Sequence, residues 1–303
     1  MTDIAVFEHD PKQFDYPNEG PRSSQLWPHR YLVFLQDVTA VFDGFKALDI
    51  HDLGIGHNEL RVVVGPNGAG KTTMCDVISG MTNPTTGKVF FAGEEITALT
   101  DTQIAQRGVG RKFQIPNVFD SLTVWENMLL ALPNPARHIG SKEWIQARQR
   151  EGNRMVGPAP VFYNRLLAVL KNMGGHASGE NTDKIHSILK RVRLIDFLDV
   201  PAKNLSHGQR QWLAISSLII SSPKLLLVDE PAAGLTDSET ALTAELLLEL
   251  RNEHTLIVIE HDMDFVRSLS ARVTVLNEGQ VLAEGTLDEV SSNPAVIEAY
   301  LGR

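Results

Sequence analysis

The sequence predicts an α/β fold in which a mostly parallel core sheet is flanked by an antiparallel β-subdomain and an α-helical subdomain. Three short apolar runs, residues 62–64, 225–228 and 256–259, are each followed by glycine or charged residues. Continuous apolar runs of this length are typical of central parallel strands that are buried on both faces. Other β-rich segments are joined by two-residue turns, which indicates antiparallel hairpins beside that core.

Composition limits the possible functions. The chain has 303 residues, of which 43% are hydrophobic, and this fraction is enough for a large core. Its net charge of -9 argues against a nucleic-acid binder. Pro223 and Lys224 interrupt the longest apolar stretch, so we expect no membrane span. The first residues lack the features of a signal peptide, and the single cysteine, Cys75, excludes an internal disulfide and suits a reducing cytoplasm.

The N-terminal segment differs in character from the rest of the chain. Residues 1–30 contain four prolines among polar residues and show no hydrophobic period. We therefore expect a poorly ordered tail over 1–30 and a folded domain over 31–303. Within that domain, helical patterns are concentrated over about residues 118–220, which predicts a helical subdomain inserted in the core.

The first predicted hairpin carries an aromatic residue beside its turn. Residues 38–42 and 45–50 are β-rich, and Asp43-Gly44 between them is a strong two-residue turn signal. Phe42 precedes that turn, at a place where a ring could stack on a purine base. An ordinary core phenylalanine is the alternative interpretation, and Phe45 is the other candidate for a stacking ring.

Residues 65–73, with the sequence Gly-Pro-Asn-Gly-Ala-Gly-Lys-Thr-Thr, are the motif on which the prediction of function depends most. They follow an apolar run and precede a helical pattern, which is the order of a phosphate-binding P-loop. Glycines let the loop N–H groups face a phosphate, and the helix N-terminus adds its positive dipole end. We expect Lys71 to reach the β- and γ-phosphates and the Thr72 hydroxyl to ligate Mg²⁺. A glycine turn with a chance lysine would leave the agreement of strand, loop and helix signals unexplained.

Two weaker signals lie further along the chain. Pro116 disfavours helix at Ile115, so Gln114 is predicted at a strand-to-loop boundary, where its amide could contact a metal-bound water or the γ-phosphate. Ser206 and Gln209 have the spacing of a capping box, and the helix they begin would offer a second anion-binding N-terminus. Taken alone, a solvated glutamine and an ordinary capped helix explain these two patterns equally well.

Polar residues also follow the two later apolar runs. Ionised carboxylates at the end of a buried strand are costly unless a cation or substrate lies nearby. Asp229 fits the acid on the Mg²⁺ side of a P-loop enzyme, and Glu230 fits the residue that polarises the attacking water. His261 is expected near the γ-phosphate, because ligands of open α/β sheets bind at the carboxyl ends of the strands. A lone histidine is more often structural, but here three strand ends converge on one site.

Taken together, these motifs resemble those of ABC transporter ATP-binding subunits, in the order in which that family carries them. The matching segments are residues 65–73 for the Walker A motif, Gln114 for the Q-loop, 205–209 for the signature, 225–230 for the Walker B motif, 231–235 for the segment before the D-loop and His261 for the switch histidine. The resemblance covers nearly all of the chain after residue 30. It implies a P-loop NTPase cassette fold with ATP and Mg²⁺ as ligands.

Other segments narrow the resemblance. Residues 237–240, 260–263 and 296–303 resemble the branched-chain amino-acid group of cassettes, and residues 205–213 are most similar to its urea-uptake member. Two positions depart from the family pattern. His207 stands where most members have a second glycine, and Thr236 stands where the D-loop usually begins with aspartate.

The resemblance assigns a role to each motif residue. The implied catalytic residues are Glu230, His261 and Gln114. The implied metal-side residues are Thr72, Gln114 and Asp229. The implied ATP-binding residues are Phe42, Gly65, Pro66, Asn67, Gly68, Ala69, Gly70, Lys71, Thr72, Thr73, Ser206, Gly208 and Gln209.

The implied function is that of the ATP hydrolase that powers an importer of a small polar solute, urea or a short-chain amide, with a branched-chain amino acid as the alternative. The implied partners are integral-membrane permease subunits, a second and different cassette and, indirectly, a solute-binding protein, with no nucleic acid. Such a subunit would lie peripherally on the cytoplasmic face of the inner membrane.

Three other interpretations explain less of the sequence. An ABC ATPase of repair or translation usually carries two cassettes or a long coiled-coil insertion, and this sequence has neither. A P-loop kinase or GTPase would leave residues 205–209 and His261 unexplained. A nucleotide-binding regulator without catalysis conflicts with the presence of Lys71, Asp229 and Glu230.

Overall fold

The computed structural model describes residues 27–112, 118–132 and 179–301. The chain divides into two compact units, one of residues 1–114, 224–233 and 237–303 and the other of residues 115–223 and 234–236. The boundaries predicted from the sequence for the tail and the helical subdomain stay predictions. Of the predicted tail, residues 1–26 lie outside the described residues.

Ten strands are defined in the described ranges. In chain order they are β1 (Val33–Phe42), β2 (Phe45–Ile55), β3 (Leu60–Val64), β4 (Thr86–Phe91), β5 (Glu94–Glu95), β6 (Val109–Lys112), β7 (Leu225–Asp229), β8 (Thr255–Ile259), β9 (Arg272–Asn277) and β10 (Gln280–Gly285). The helices of the same ranges are α1 (Trp27–Arg30), α2 (Lys71–Ser79), α3 (Asp101–Gln106), α4 (Val124–Ala131), α5 (Gly179–Arg191), α6 (His207–Ile219), α7 (Asp237–Leu250), α8 (Met263–Leu269), α9 (Leu287–Ser291) and α10 (Pro294–Leu301). None of these helices combines the length and the apolar character that crossing a membrane requires.

The first unit contains an antiparallel sheet of four strands in the order β2-β1-β4-β5. Asp43 and Gly44, with φ of +48° and +83°, join β1 to β2 in the two-residue turn that the sequence predicts. Ala92 and Gly93, with φ of +51° and +82°, join β4 to β5 in the same way. Positive φ at both central residues defines the type I′ turn, whose twist matches that of paired strands.

The same unit contains a six-stranded sheet in the order β10-β9-β3-β8-β7-β6. All neighbouring pairs are parallel except β9 and β10, which form a hairpin. Every residue of β3, β7 and β8 is buried, which explains why these strands are mostly apolar and show no alternation of apolar and polar residues. Because the three strands are parallel, their carboxyl ends meet at one edge of the sheet. The predicted fold class is confirmed.

The described part of the second unit is mostly helical. Thr123 and Ser206 are the N-cap residues of α4 and α6, and each forms the reciprocal capping box that its spacing predicts. Residues 198–203 run beside the start of α4, with Val124 N donating to Val200 O at 3.0 Å and Ala202 N donating to Leu122 O at 2.8 Å. These bonds tie the segment before the signature motif to the first helix of the unit.

Candidate active site

The loop between β3 and α2 can be made only with glycine at two of its positions. Gly70 adopts φ +96°, and a Cβ there would lie 2.5 Å from Ala47 O. A Cβ at Gly65 would lie 2.2 Å from Leu276 O. Both distances are far below van der Waals contact with a backbone atom, so a side chain at either position would displace the loop. The loop is therefore held closely against β2 and β9.

The N-terminus of α2 is suited to hold an anion. Its N-cap is Gly70, which provides no side-chain hydrogen bond, whereas α3, α4, α6 and α9 all begin with capping boxes. The first backbone N–H groups of α2 are thus left for a ligand, and the helix dipole favours a negative one. Asn67, Gly68 and Thr72 are exposed beside this N-terminus.

Lys71 lies over the same loop. Its Nζ donates to Gly65 O at 2.7 Å and to Pro66 O at 3.0 Å. Partial burial lowers the pKa of Lys71, and the nearby carboxylates of Glu230 and Asp229 oppose that shift. The ammonium group is therefore electrostatically coupled to both acids, as a site for a triphosphate and its metal requires.

The end of β7 presents the two acids that the sequence predicts. Asp229 is buried, and this burial, followed by the negative charge of Glu230, raises its pKa. Glu230 follows with φ +45°, a left-handed conformation that is rare for a residue with a side chain. Its N–H donates to Ile259 O at 2.9 Å, which joins the ends of β7 and β8. Strained backbone of this kind is concentrated at functional sites.

His261 and Glu230 lie together at the adjoining ends of β8 and β7. The Nδ1 atom of His261 is 3.7 Å from Glu230 Oε1, and the imidazole is mostly exposed. The structure therefore brings the predicted base and the predicted switch histidine close to each other. Gln114, the third predicted catalytic residue, lies outside the described residues.

Two buried charged residues at this edge were not predicted from the sequence. Lys112, the last residue of β6, donates from Nζ to Asp229 O at 3.0 Å, and burial lowers its pKa to about 8. Glu260, between Ile259 and His261, accepts bonds from Ala232 N at 2.8 Å and His261 N at 3.1 Å. Burial raises the pKa of Glu260, although these N–H donors act in the opposite direction. Glu260 has one sequence signal, a charged residue directly after an apolar strand, whereas Lys112 ends the strand Val109–Lys112, which is not apolar and gives no such signal.

The two candidates for a stacking ring both lie at the tip of the β1–β2 hairpin. Phe42 and Phe45 are cross-strand partners on either side of the Asp43-Gly44 turn. Their side chains are 46% and 65% exposed, so neither is a core phenylalanine. The choice between them stays a prediction.

The signature residues belong to the second unit. Ser206 Oγ accepts from Gln209 N at 3.2 Å, and Gln209 Oε1 accepts from Ser206 N at 2.9 Å. Ser206 and His207 are exposed at the start of α6, whereas Gly208 is buried. The start of α6 is therefore exposed to solvent at Ser206 and His207.

The residues at the sheet edge fit a magnesium ion held together with a substrate phosphate. Thr72 and Asp229 supply a hydroxyl and a carboxylate, the hard oxygen ligands that Mg²⁺ prefers. Within the described ranges, no group of three or more His, Cys, Asp and Glu side chains could hold a metal. Mg²⁺ usually takes one or two protein ligands and completes its shell with phosphate oxygens and water.

Comparisons with known sequences agree with this geometry. A family model described as "ABC transporter" matches residues 48–233, and one described as "Branched-chain amino acid ATP-binding cassette transporter" matches residues 280–303. The high-affinity branched-chain amino acid transport ATP-binding protein LivG of Salmonella typhimurium is 36% identical over 265 residues, which are 86% of this chain and 94% of that protein. The corresponding protein BraF of Pseudomonas aeruginosa is 34% identical over 276 residues, which are 90% of this chain and 98% of BraF.

Solved structures similar to this fold include ATP-binding cassettes of ABC transporters. A nucleotide-free ATP-binding cassette from an ABC transporter superposes with a TM-score of 0.71 at 27% sequence identity, covering 90% of this chain and 99% of its own. An ATP-binding cassette of an ABC transporter in its ADP conformation gives a TM-score of 0.70 at 26% identity, again covering 90% of this chain and 99% of its own.

Proposed function

This chain belongs to the ABC transporter family, and we propose that it is the ATP-hydrolysing subunit of an importer for branched-chain amino acids. It is the ATP-binding subunit of an ABC importer and it couples ATP hydrolysis to transport. The solute is the proposed part. It is supported by the names of the relatives LivG and BraF and by the match of residues 280–303 to a branched-chain amino-acid cassette family.

Urea or a short-chain amide is the second candidate solute. The observation that favours it is the segment 205–213, Leu-Ser-His-Gly-Gln-Arg-Gln-Trp-Leu, which resembles the urea-uptake group of cassettes. The two candidates are separated by reconstituting the complete transporter, with its permease and solute-binding protein, in lipid vesicles. ATP-dependent uptake of labelled leucine without uptake of labelled urea supports the first solute, and the reverse result replaces it with the second.

The proposed mechanism assigns a task to each element of the sheet edge. Lys71 and the uncapped N-terminus of α2 bind the β- and γ-phosphates. Thr72 and Asp229 would hold Mg²⁺, which neutralises developing charge on the phosphates when it is bound. Glu230 accepts a proton from the attacking water, and His261 donates a hydrogen bond on the γ-phosphate side. The arrangement that carries the proposal is the placement of Glu230 and His261 at adjoining strand ends, 3.7 Å apart, in the same unit as the P-loop.

The proposed working unit contains further chains. Ser206, Gly208 and Gln209 would contact ATP held by the P-loop of a second cassette, because Ser206 is exposed at the start of α6 and the positive dipole end of that helix favours an anion. We propose that the second cassette is a related but different chain, and that both dock on integral-membrane permease subunits at the cytoplasmic face of the membrane. Purification of the native complex tests this composition. Recovery of two copies of this chain with no other cassette would refute the heterodimer.

The decisive test of the catalytic assignment is Glu230→Gln. Glutamine keeps the shape of the side chain and removes its capacity as a base, and loss of a positioned general base typically slows a reaction by about 10²–10⁴-fold. We expect ATP affinity equal to or higher than that of the wild type, a much slower hydrolysis and accumulation of an ATP-closed dimer. ATPase rate and dimer population are measured with the membrane partner present.

Lys71→Ala is the matched variant for the binding step. It should fail earlier, with loss of ATP affinity itself, because it removes the cation that holds the phosphates. Hydrolysis at the wild-type rate by Glu230→Gln would show that Glu230 is not the base and would require another residue in that role.

A further inference from the structure

The backbone of Glu230 is held by its surroundings in a conformation that it would not adopt alone. Its φ of +45° lies in the left-handed region, which brings the Cβ of an L-residue too close to the following carbonyl oxygen. Outside a two-residue turn, such a conformation is held in place by neighbouring contacts. One contact is the bond from Glu230 N to Ile259 O at 2.9 Å. The direction of the Glu230 carboxylate depends on this backbone.

Two other contacts come from buried charged side chains on either side of Glu230. On the preceding side, Lys112 Nζ donates to Asp229 O at 3.0 Å. On the following side, Ala232 N donates to Glu260 Oε1 at 2.8 Å. Lys112 is 2% exposed and Glu260 is 1% exposed, so water does not compete for either bond. Hydrogen bonds to charged groups are stronger than neutral ones, and more so in a buried site.

The same carboxylate also holds the loop that carries the switch histidine. The second oxygen of Glu260, Oε2, accepts from His261 N at 3.1 Å. Glu260 therefore links the backbone after β7 to the backbone after β8. Lys112 links a third strand end to these two, because it is the last residue of β6 and bonds Asp229 O. In the sequence, Gln114 follows two residues after it.

We propose that Lys112 and Glu260 form a clamp that positions Glu230 and His261 for hydrolysis. The proposal rests on the proposed role of Glu230 as the base. Both clamp residues act through backbone atoms, so they are positioning residues, and their loss should misdirect the base without removing a group assigned to ATP binding. A purely structural role predicts instead a loss of stability with no specific effect on the chemical step.

The test compares Glu260→Gln and Lys112→Met with a control in the assembled transporter. The control is Glu59→Gln, because Glu59 is also a buried carboxylate, bonded to Gly56 N and Arg61 Nε at 2.6 Å each, but precedes β3 at the end away from the P-loop. A displacement of about 1 Å at a catalytic group can cost about 100-fold in rate, so we expect kcat to fall by about 10- to 100-fold in both clamp variants. The KM for ATP and the affinity for a non-hydrolysable ATP analogue should stay within about twofold of the wild type.

The control and a double-mutant cycle decide the outcome. Glu59→Gln should lower the thermal unfolding midpoint without a comparable fall in kcat. When Lys112→Met is added to Glu230→Gln, single-turnover hydrolysis should fall no further, because Lys112 bonds the backbone beside Glu230 and the base is already absent. Additive losses, or a kcat loss no larger than that of Glu59→Gln, would overturn the clamp.

Failure of the clamp is distinguishable from failure of the proposed base. Wild-type hydrolysis by Glu230→Gln would remove the base itself. An inactive Glu230→Gln beside clamp variants of wild-type kcat would refute only the clamp. If Glu260→Gln does not accumulate as folded protein, Lys112→Met carries the test, because methionine fills a similar volume without a charge.

Discussion

Gly279 is predicted to be a structural support of the ATP-binding loop, although it lies outside every nucleotide motif. It is the second residue of the β9–β10 turn, with φ +81°, and a Cβ there would lie 2.9 Å from both Ala47 O and Leu48 Cα. Its N–H donates to Ala69 O at 3.1 Å, and its carbonyl accepts from Asp49 N at 2.8 Å. The turn is thus packed between β2 and the P-loop. Gly279→Ala should disturb both stability and ATP binding.

A matched control separates backbone strain from packing. Gly93 is also the second residue of a two-residue turn, with φ +82°, but a Cβ there would meet the ring of exposed His29, which can rotate away. Both substitutions place alanine in the left-handed region, at a cost of about 1–2 kcal/mol each. Only Gly279→Ala also forces a side chain against backbone, which adds about 1–3 kcal/mol.

The expected result is a difference in both stability and ligand binding. Denaturant unfolding should show Gly279→Ala to be less stable than Gly93→Ala by about 1–3 kcal/mol. If displacement of Ala69 transfers about 1.4 kcal/mol of this strain to the binding site, the Kd for an ATP analogue rises about tenfold. Gly93→Ala should leave that Kd unchanged. Equal stability and equal Kd in the two variants would refute the reasoning.

Three further outcomes are expected. Phe42→Ala should weaken ATP binding by about 1–3 kcal/mol through loss of ring stacking, and a loss in Phe45→Ala instead would reassign the stacking ring. His207→Gly should keep most turnover in the assembled complex, because His207 Nε2 lies 3.4 Å from Gln211 Nε2 within its own helix, and a loss as large as that of Lys71→Ala would show that His207 takes part in the chemistry. The pKa of Lys112 is lowered from 10.5 to about 8 by burial, so between these values the unfolded chain binds a proton that the folded chain has lost. The free energy of unfolding of the wild type, relative to that of Lys112→Met, should therefore rise with pH across this window, and a flat difference would contradict the assignment.

The parts of the fold that the sequence predicts are those whose cause is local. Asp43-Gly44 specifies its turn because both positions need positive φ, and Ser206 with Gln209 specifies a helix start because the two side chains satisfy each other's backbone N–H groups. The apolar runs of β3, β7 and β8 reflect burial on both faces. Parallel strands end at one edge of a sheet. The convergence of Lys71, Asp229 and His261 therefore follows from the parallel direction of the strands that precede them.

The unpredicted parts depend on contacts between distant segments. Lys112 bonds a carbonyl that lies 117 positions later in the chain, and Glu260 bonds an N–H that lies 28 positions earlier. Neither side chain forms a motif, because its partner is a backbone atom that any residue could supply. Lysine and glutamate side chains are usually exposed, so the sequence alone favours the interpretation that Lys112 and Glu260 lie in solvent. Phe42 and Phe45 both lie at one exposed hairpin tip. Neither the sequence nor the structure therefore decides which ring stacks on the base.

The two departures from the family pattern are related in the structure, although they lie 29 positions apart in the sequence. A Cβ at Gly234, two residues before Thr236, would lie 3.6 Å from both Cδ2 and Nε2 of His207. The His207 ring therefore borders the space beside the Gly234 backbone, and its Nε2 is 3.4 Å from Gln211 Nε2. A glycine at position 207 would enlarge that space and lose the approach to Gln211. The imidazole thus has a packing role within its own unit, which is the physical reason to expect that His207→Gly changes the segment around Thr236 before it changes hydrolysis.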